Sequence, residues 1–534
     1  MNDKKYIHRK IYADCIRATA LPILLYGLQE VLEGLLTVRT AGLLGQFADA
    51  VFRLDFAFGQ ENLWKLLACI AATVLLIPFI NVFSNIFMIK YALLHDRMVL
   101  GRFLDKEYAA VLACDAGDLQ HRLEWEPTDL RCNFVNIVTD LAKVAVTSVY
   151  LLYSALAVSP LYTAIVFAVS LVKLTVPIAV RKYEKKYDME TREYQSKVRS
   201  FEEEIIRQPH IVKQYGLADA LTGRLDRAYR MYFDGVQRKS IRCGRIAGGI
   251  SAFLETFCTF AVLLSGAVLA AGGQITPGTV AAMVGYFGVF GSVIGTVGTV
   301  IRTFPKMKNN AERMEIFYER EERTGGAEPS EVKKLRAENL SFAYENDDRP
   351  VFDGLEFELE LHGKTAVCGT NGSGKSTLIK GLCGLLSPCG GKLYADGTDL
   401  AGISPDAWRK QIAYAPQEAY LFAGTVRENV RLGRPAASDA EVDAVMAELG
   451  ISHLAERTVT AGTDALSGGE KQKISIARAL LKDAPVVILD EPGNNLDAET
   501  VEWLKRFLAE TEKGVICITH DTETERLADV VVRM

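Results

Sequence analysis

Gly369-Thr370-Asn371-Gly372-Ser373-Gly374-Lys375-Ser376-Thr377 is the stretch from which the rest of the chain can be read. It follows the apolar run Thr365-Ala366-Val367-Cys368 and precedes Leu378-Ile379-Lys380-Gly381-Leu382, which has the pattern of a helix. Gly369, Gly372 and Gly374 let the backbone wrap closely around an anion, with successive N–H groups turned inward and the positive end of the following helix added. Lys375 supplies a point charge for β- and γ-phosphates, and the Ser376 hydroxyl stands where it would ligate Mg²⁺. Asn371, Ser373 and Thr377 complete the expected cradle. A plain glycine-rich turn is the alternative, but such a turn needs neither the preceding strand nor a Lys-Ser pair opening a helix.

A chain of 534 residues exceeds one ordinary core, so at least two domains are expected. The hydrophobic share of 49% averages two unlike halves. Up to about Ile301 several apolar runs approach the ~20 residues that span a bilayer, whereas the remainder reads as α/β. The net charge of −5 comes without a basic face, which argues against nucleic acid as a partner. Ten cysteines without a C-x-x-C pair fit a reduced cytosolic setting and give no zinc pattern. The start, Met-Asn-Asp-Lys-Lys-Tyr, lacks the short apolar core of a cleaved signal peptide.

Residues 1 to 17 are polar and basic and are expected to lie along the inner membrane surface. Six spans should follow, at about Thr19 to Leu44, Leu63 to Ile89, Phe134 to Val158, Leu161 to Val180, Ile246 to Ala271 and Thr279 to Ile301. Segments 90 to 133 and 181 to 245 are rich in Lys and Arg, while the other loops carry almost none. The positive-inside rule therefore puts both termini and both long connections in the cytosol. Recurring apolar positions such as Ile205, Ile206, Ile211, Val212 and Leu217 predict that these connections continue the spans as long helices, with turns between them. A small inserted domain is the alternative, and the missing Gly/Pro/Ser boundaries speak against it.

The composition shifts at Thr324-Gly325-Gly326-Ala327-Glu328-Pro329-Ser330, so we expect a membrane domain over 1–323, a linker over 324–332 and a second domain over 333–534. Short β-rich runs at 340–344, 355–359, 365–368, 412–415, 486–489 and 515–518 alternate with helices and predict a largely parallel sheet with ligand at its strand ends. The run Val486-Val487-Ile488-Leu489 ends in Asp490, placed to hold Mg²⁺, and Glu491, placed to take a proton from an attacking water. His520 ends the next strand within reach of a γ-phosphate. Leu466-Ser467-Gly468-Gly469-Glu470 opens another helix and makes a second anion site. One nucleotide does not need two.

Together these motifs resemble an ABC exporter half-transporter, in which an all-α six-helix membrane domain is fused ahead of an α/β P-loop ATPase domain. The resemblance rests on 369 to 377, on Gln417 in Tyr414-Ala415-Pro416-Gln417, on 466 to 470, on 486 to 491 and on His520. It is weaker in the membrane half, where Gly117-Asp118-Leu119, Ile211-Val212-Lys213 and Ala311-Glu312-Arg313 carry it. It implies ATP and Mg²⁺ as cofactors, with Tyr344 stacking on adenine and Gln417 sensing the γ-phosphate and the metal. It also implies a second half-transporter subunit, the same or a related chain, whose Ser467, Gly468 and Gly469 grip the ATP held by Lys375. The expected activity is an ATPase that drives export of a peptide, lipid or small amphipathic molecule through the plasma membrane by alternating access. An importer built on the same fold, for example for metal chelates, and an ATP-gated channel or regulator use the same parts. A soluble ABC ATPase would lack the spans.

Three departures from the family pattern stand out. Glu470 replaces a common glutamine, Asn494-Asn495 replaces a small pair, and the end at Met534 predicts that the usual C-terminal strand and helix are missing. Within the spans, Glu30 and Glu33 either line an acidic cavity or pair with Arg39 or a neighbouring helix. Asp140, Lys143, Lys173 and Glu255 are further ionisable groups at costly depth.

Overall fold

The computed structural model describes residues 2–114, 116–173, 209–329, 331–344, 349–370, 372–460, 466–493 and 496–534, with isolated positions between 175 and 206. The chain divides into two compact units, Met1–Leu100 with His121–Ile316, and Gly101–Gln120 with Phe317–Met534.

In the first unit, Lys4–Phe52, Phe56–Leu104, Gly117–Val158, Ala218–Ala271 and Pro277–Tyr318 are helices long and apolar enough to cross a bilayer. They account for five of the six expected spans. The fourth begins as the shorter helix Pro160–Val172, and its expected continuation to Val180 lies largely outside the described residues. Ser159 starts that helix by accepting the Tyr162 N–H, with Pro160 at the first position, where its missing donor costs nothing.

The N-terminal residues differ from expectation. They do not form a separate surface segment but belong to one helix, Asn2–Phe52. Ile11, Cys15 and Ala18, spaced by one helical turn, are fully buried. Glu315, a carboxylate on the last long helix, receives Lys4 at 3.1 Å and His8 at 2.5 Å.

The two intramembrane lysines are paired with glutamates across helices. Lys143 Nζ lies 2.6 Å from Glu30 and 3.6 Å from Glu33. Lys173 Nζ lies 2.8 Å from Glu255 and 3.8 Å from the centre of the Phe287 ring. Pairing with a neighbouring helix, rather than an open acidic wall, therefore describes Glu30 and Glu33. The cost of a bare charge in lipid is the physical reason. At one end of the first and last helices, Asp49 accepts the Gly278 N–H at 2.7 Å and the Thr276 hydroxyl at 2.6 Å. Glycine is required there, because a Cβ on Gly278 would sit 2.1 Å from the Gly45 carbonyl oxygen.

The second unit holds two main sheets. Strands β1 (Lys334–Phe342), β2 (Phe352–Glu360), β3 (Lys364–Cys368), β4 (Gly390–Ala395), β5 (Thr398–Asp399), β6 (Ile412–Ala415), β7 (Gly424–Thr425), β8 (Thr458–Val459), β9 (Val486–Asp490), β10 (Gly514–Ile518) and β11 (Val530–Arg533) follow in order. The five-stranded sheet runs β11-β3-β10-β9-β6, with every neighbouring pair parallel. The first two expected strands lie instead in an antiparallel sheet, β2-β1-β4-β5. In β2 alternation of apolar and acidic residues, Leu355-Glu356-Phe357-Glu358-Leu359-Glu360, suits a sheet with one wet face.

The parallel sheet is buried on both faces. Val486, Ile488, Ile516 and Ile518 join one core with Val367, Leu378 and Ile379, whereas Val487, Leu489, Val515 and Cys517 join another with Leu466, Ile474 and Ile476. The phosphate-loop helix Lys375–Leu382 and the helix Gly468–Leu481 thus contribute to opposite faces. The missing C-terminal elements also need correction: a helix, Thr522–Arg526, and β11 follow His520, and β11 pairs with β3 from Val530↔Thr365 to Arg533↔Cys368. Four residues with three valines suffice for an edge strand.

The segment 101–120 groups with this second unit. Its short helix Tyr108–Leu112 presents Tyr108 and Ala109 to the core. Glu107 N donates to Arg320 O at 2.9 Å, and the side chains of the two residues pair at 3.0 Å. The chain turns before and after this helix. In the second connection, the helix Pro209–Gln214 ends near Gly216, which takes a positive φ of 62°.

Candidate functional site

The carboxyl ends of β3, β10, β9 and β6 lie side by side, so the phosphate loop, His520, Asp490-Glu491 and Gln417 are delivered to one edge of the sheet. Gly372 and Gly374 take positive φ values of 85° and 98°. A Cβ on Gly374 would lie 2.8 Å from the Phe352 ring, so the loop requires glycine for both conformation and space. Lys375 is buried and folds back, its Nζ donating to the Gly369 and Thr370 carbonyls at 2.9 Å each. The buried Ser373 Oγ has no hydrogen-bond partner among the described residues. An orphaned hydroxyl, an ammonium turned onto its own loop and a helix N-terminus together fit a bound phosphate chain. Asn371 lies outside the described residues.

Ser376 is exposed at the head of the helix. Asp490 is only 3% exposed, and burial pushes its carboxyl up, with the Glu491 charge acting the same way and Tyr414, Lys375 and Lys380 opposing it. A buried carboxylate beside a phosphate loop suits a cation. Ser376, Asp490 and the Gln417 amide oxygen are the hard oxygen donors that Mg²⁺ takes.

Glu491 is gripped from two sides. Gln417 Nε2 donates to Oε2 at 2.6 Å, and His520 Nε2 lies 3.1 Å from Oε1. Its backbone is held in the left-handed region at φ 47°, with its N–H bonded to Ile518 O at 3.1 Å. A glutamate pays strain there, a feature that collects at functional sites. The constellation can orient a water and accept its proton.

Two residues carry contacts beyond those expected above. The Tyr414 hydroxyl donates to Asp490 Oδ2 at 3.1 Å, and burial together with that carboxylate pushes the phenol far above its ordinary range. Glu470 completes a capping box with Ser467: it accepts the Ser467 N–H at 2.7 Å and hydroxyl at 3.0 Å, and its own N–H donates to Ser467 Oγ. The S-x-x-E spacing is the signal that marks this role in sequence.

Tyr344 is half-buried next to the loop, its hydroxyl 3.1 Å from Thr377 Oγ1 and Lys380 Nζ 5.9 Å from its ring centre. Ser467, Gly468 and Gly469 are not brought to it. Among the described residues, none of their hydrogen bonds reaches the phosphate loop, Asp490 or Glu491. The Asn494-Asn495 departure falls outside the described residues.

A polytopic helical unit joined to a phosphate-loop α/β unit defines an integral membrane protein with a fused nucleotide-binding half. A model of the ABC transporter transmembrane region matches residues 23–293, and a model of the ABC transporter domain matches residues 352–494. The chain belongs to the ABC transporter family, with the half-transporter order of domains. It is 31% identical over 342 residues to the beta-(1→2)glucan export ATP-binding/permease protein NdvA of Brucella melitensis, a match covering 61% of this chain and 56% of that protein. The NdvA protein of Mesorhizobium japonicum is 32% identical over 306 residues, covering 54% and 51%. The chain thus spans little more than half the length of these curated relatives. A solved structure of a bacterial Atm1-family ABC exporter with ATP bound superposes with a TM-score of 0.78 at 20% identity, over 97% of this chain and 93% of that one. Its fold is the fold described above.

Proposed function

We propose that the chain is one half of a dimeric transporter that couples ATP hydrolysis to export. The observation that carries this reading is the convergence of Gln417 and His520 on Glu491, beside a phosphate loop whose Ser373 hydroxyl awaits a partner. Lys375 and the loop N–H groups bind the β- and γ-phosphates, and Tyr344 offers its ring to adenine. Ser376, Asp490 and Gln417 hold Mg²⁺, which when bound neutralises charge on the transferred phosphoryl group. Glu491 takes the proton of the attacking water, with His520 fixing one carboxylate oxygen and Gln417 the other.

Ser467–Gly469 cannot serve the phosphate loop of their own chain while the helix they open packs on the other face of the sheet. They serve that of a second subunit, and because Lys375, Ser467, Glu491 and His520 are all present, two copies of this chain make two complete sites. Loss of a γ-phosphate then opens the clasp. The helix Tyr108–Leu112, grouped with the nucleotide unit and lying in the chain between two long helices, carries that motion toward the membrane.

Both termini and the nucleotide half lie in the cytosol, as the Lys and Arg distribution indicates. A cavity of about 250 Å³ lined by Glu33, Thr37, Lys143, Thr147, Ser292 and Thr296 offers hydroxyls and one charge pair to polar or amphipathic cargo. The names of the relatives, for beta-(1→2)glucan export, are the reason to test a glucan beside peptides, lipids and drugs. Uptake into inside-out vesicles of a panel of these compounds and of metal chelates tests the reading. ATP-dependent accumulation of one of them that fails in Glu491→Gln supports it, and flux that persists in Glu491→Gln overturns it.

A further inference from the structure

β6 and β9 are parallel neighbours, and the end of β6 supplies one polar group to each of the two carboxylates that close β9. Gln417 donates to Glu491 at 2.6 Å, and Tyr414, three residues earlier, donates its hydroxyl to Asp490 at 3.1 Å. The register pairs Tyr414 with Ile488, two residues before Asp490, so the phenol has to reach along the strand to make this bond. The Tyr414 ring packs against the same core as Tyr108 of the short helix Tyr108–Leu112. We infer that Tyr414 is a positioning residue for the divalent cation: it takes Asp490 Oδ2 and turns the other oxygen to the metal, and it ties that carboxylate to the core on which the Tyr108 helix rests. The inference rests on the nucleotide-site reading above.

A buried carboxylate free to rotate would meet a cation in several poses, and a Tyr hydroxyl on one oxygen selects one. The bond is neutral donor to charged acceptor, the stronger class of hydrogen bond. Removing it without changing the packing volume should weaken the metal rather than the nucleotide.

Mn²⁺ serves as the probe, with binding to the detergent-solubilised full chain followed by electron paramagnetic resonance in the presence of a non-hydrolysable ATP analogue. Tyr414→Phe should raise the apparent Kd for Mn²⁺ roughly tenfold, while binding of the analogue in EDTA stays at the wild-type level. In an Asp490→Asn background the same Tyr414→Phe change should have little further effect, because the coupled partner is already altered. Wild-type Mn²⁺ affinity in Tyr414→Phe overturns the inference, as does an equal loss in the Asp490→Asn background. A parallel fall in metal-free analogue binding makes Tyr414 a packing residue and also overturns it. Failure of the wild type itself to bind the analogue would instead remove the nucleotide-site reading.

Discussion

Gln417 Nε2 stands 2.6 Å from Glu491 Oε2, a contact from the loop after β6 to the residue that closes β9. The proposed base stands in a backbone conformation, φ 47°, that glutamate rarely adopts. Replacement by Glu491→Gln keeps the size and the left-handed strain but removes the proton acceptor. ATP turnover should fall by about 10²-fold or more, with ATP binding retained. Phosphate release and nucleotide binding, measured on the same preparation, check both halves of this expectation.

The Lys143 and Glu30 pair at 2.6 Å should matter to stability, since neither side chain is more than 25% exposed. Lys143→Met leaves Glu30 without its cation and should cost about 2 kcal/mol or more. Combining it with Glu30→Gln should destabilise by less than the sum of the single changes, because the unpaired charge is removed. Thermal unfolding of the four proteins in one detergent gives the cycle.

Glu470 yields a pH dependence. The Ser467 N–H bond is the main cause that holds its carboxyl below the ordinary glutamate value, and the Ser467 hydroxyl, Arg457 and His453 assist. A lowered native value means that the folded chain binds the proton less readily than the unfolded one. The stabilisation is therefore present above the unfolded value of about 4.3 and is lost as pH falls through the native one. Wild type should melt above Glu470→Gln at pH 6, and the gap should shrink as the pH is lowered below about 4. A gap that stays constant across that range would remove the carboxylate from the explanation.

Much of this was legible in the chain because the chemistry is local. Gly369 to Thr377 carries its own strand, loop and helix start, and Val486 to Leu489 announces a strand buried on both faces. Contacts between distant residues were not legible. Lys143 meets Glu30 from 113 positions away, and Tyr414 meets Asp490 from 76. β4 was missed because Gly390 and Gly391 mask a strand with weak alternation, and β11 because four residues between Ala528-Asp529 and the last Met carry little pattern. The N-terminal helix was misjudged for a different reason. Its Lys and Arg residues dominate the composition of 1–17, while the buried stripe Ile11, Cys15 and Ala18 is only three residues deep.

The central claim is that the Ser467 end of one copy completes the Lys375 site of another. Coexpression of two inactive chains, one Lys375→Ala and one Ser467→Arg, tests it most directly through ATP hydrolysis in reconstituted lipid. In the mixed pair the Lys375 loop of the Ser467→Arg chain faces the intact Ser467 of the Lys375→Ala chain, so activity absent from either variant alone should return. Wild-type hydrolysis with no recovery in the mixture, or full activity of either variant by itself, would contradict the account.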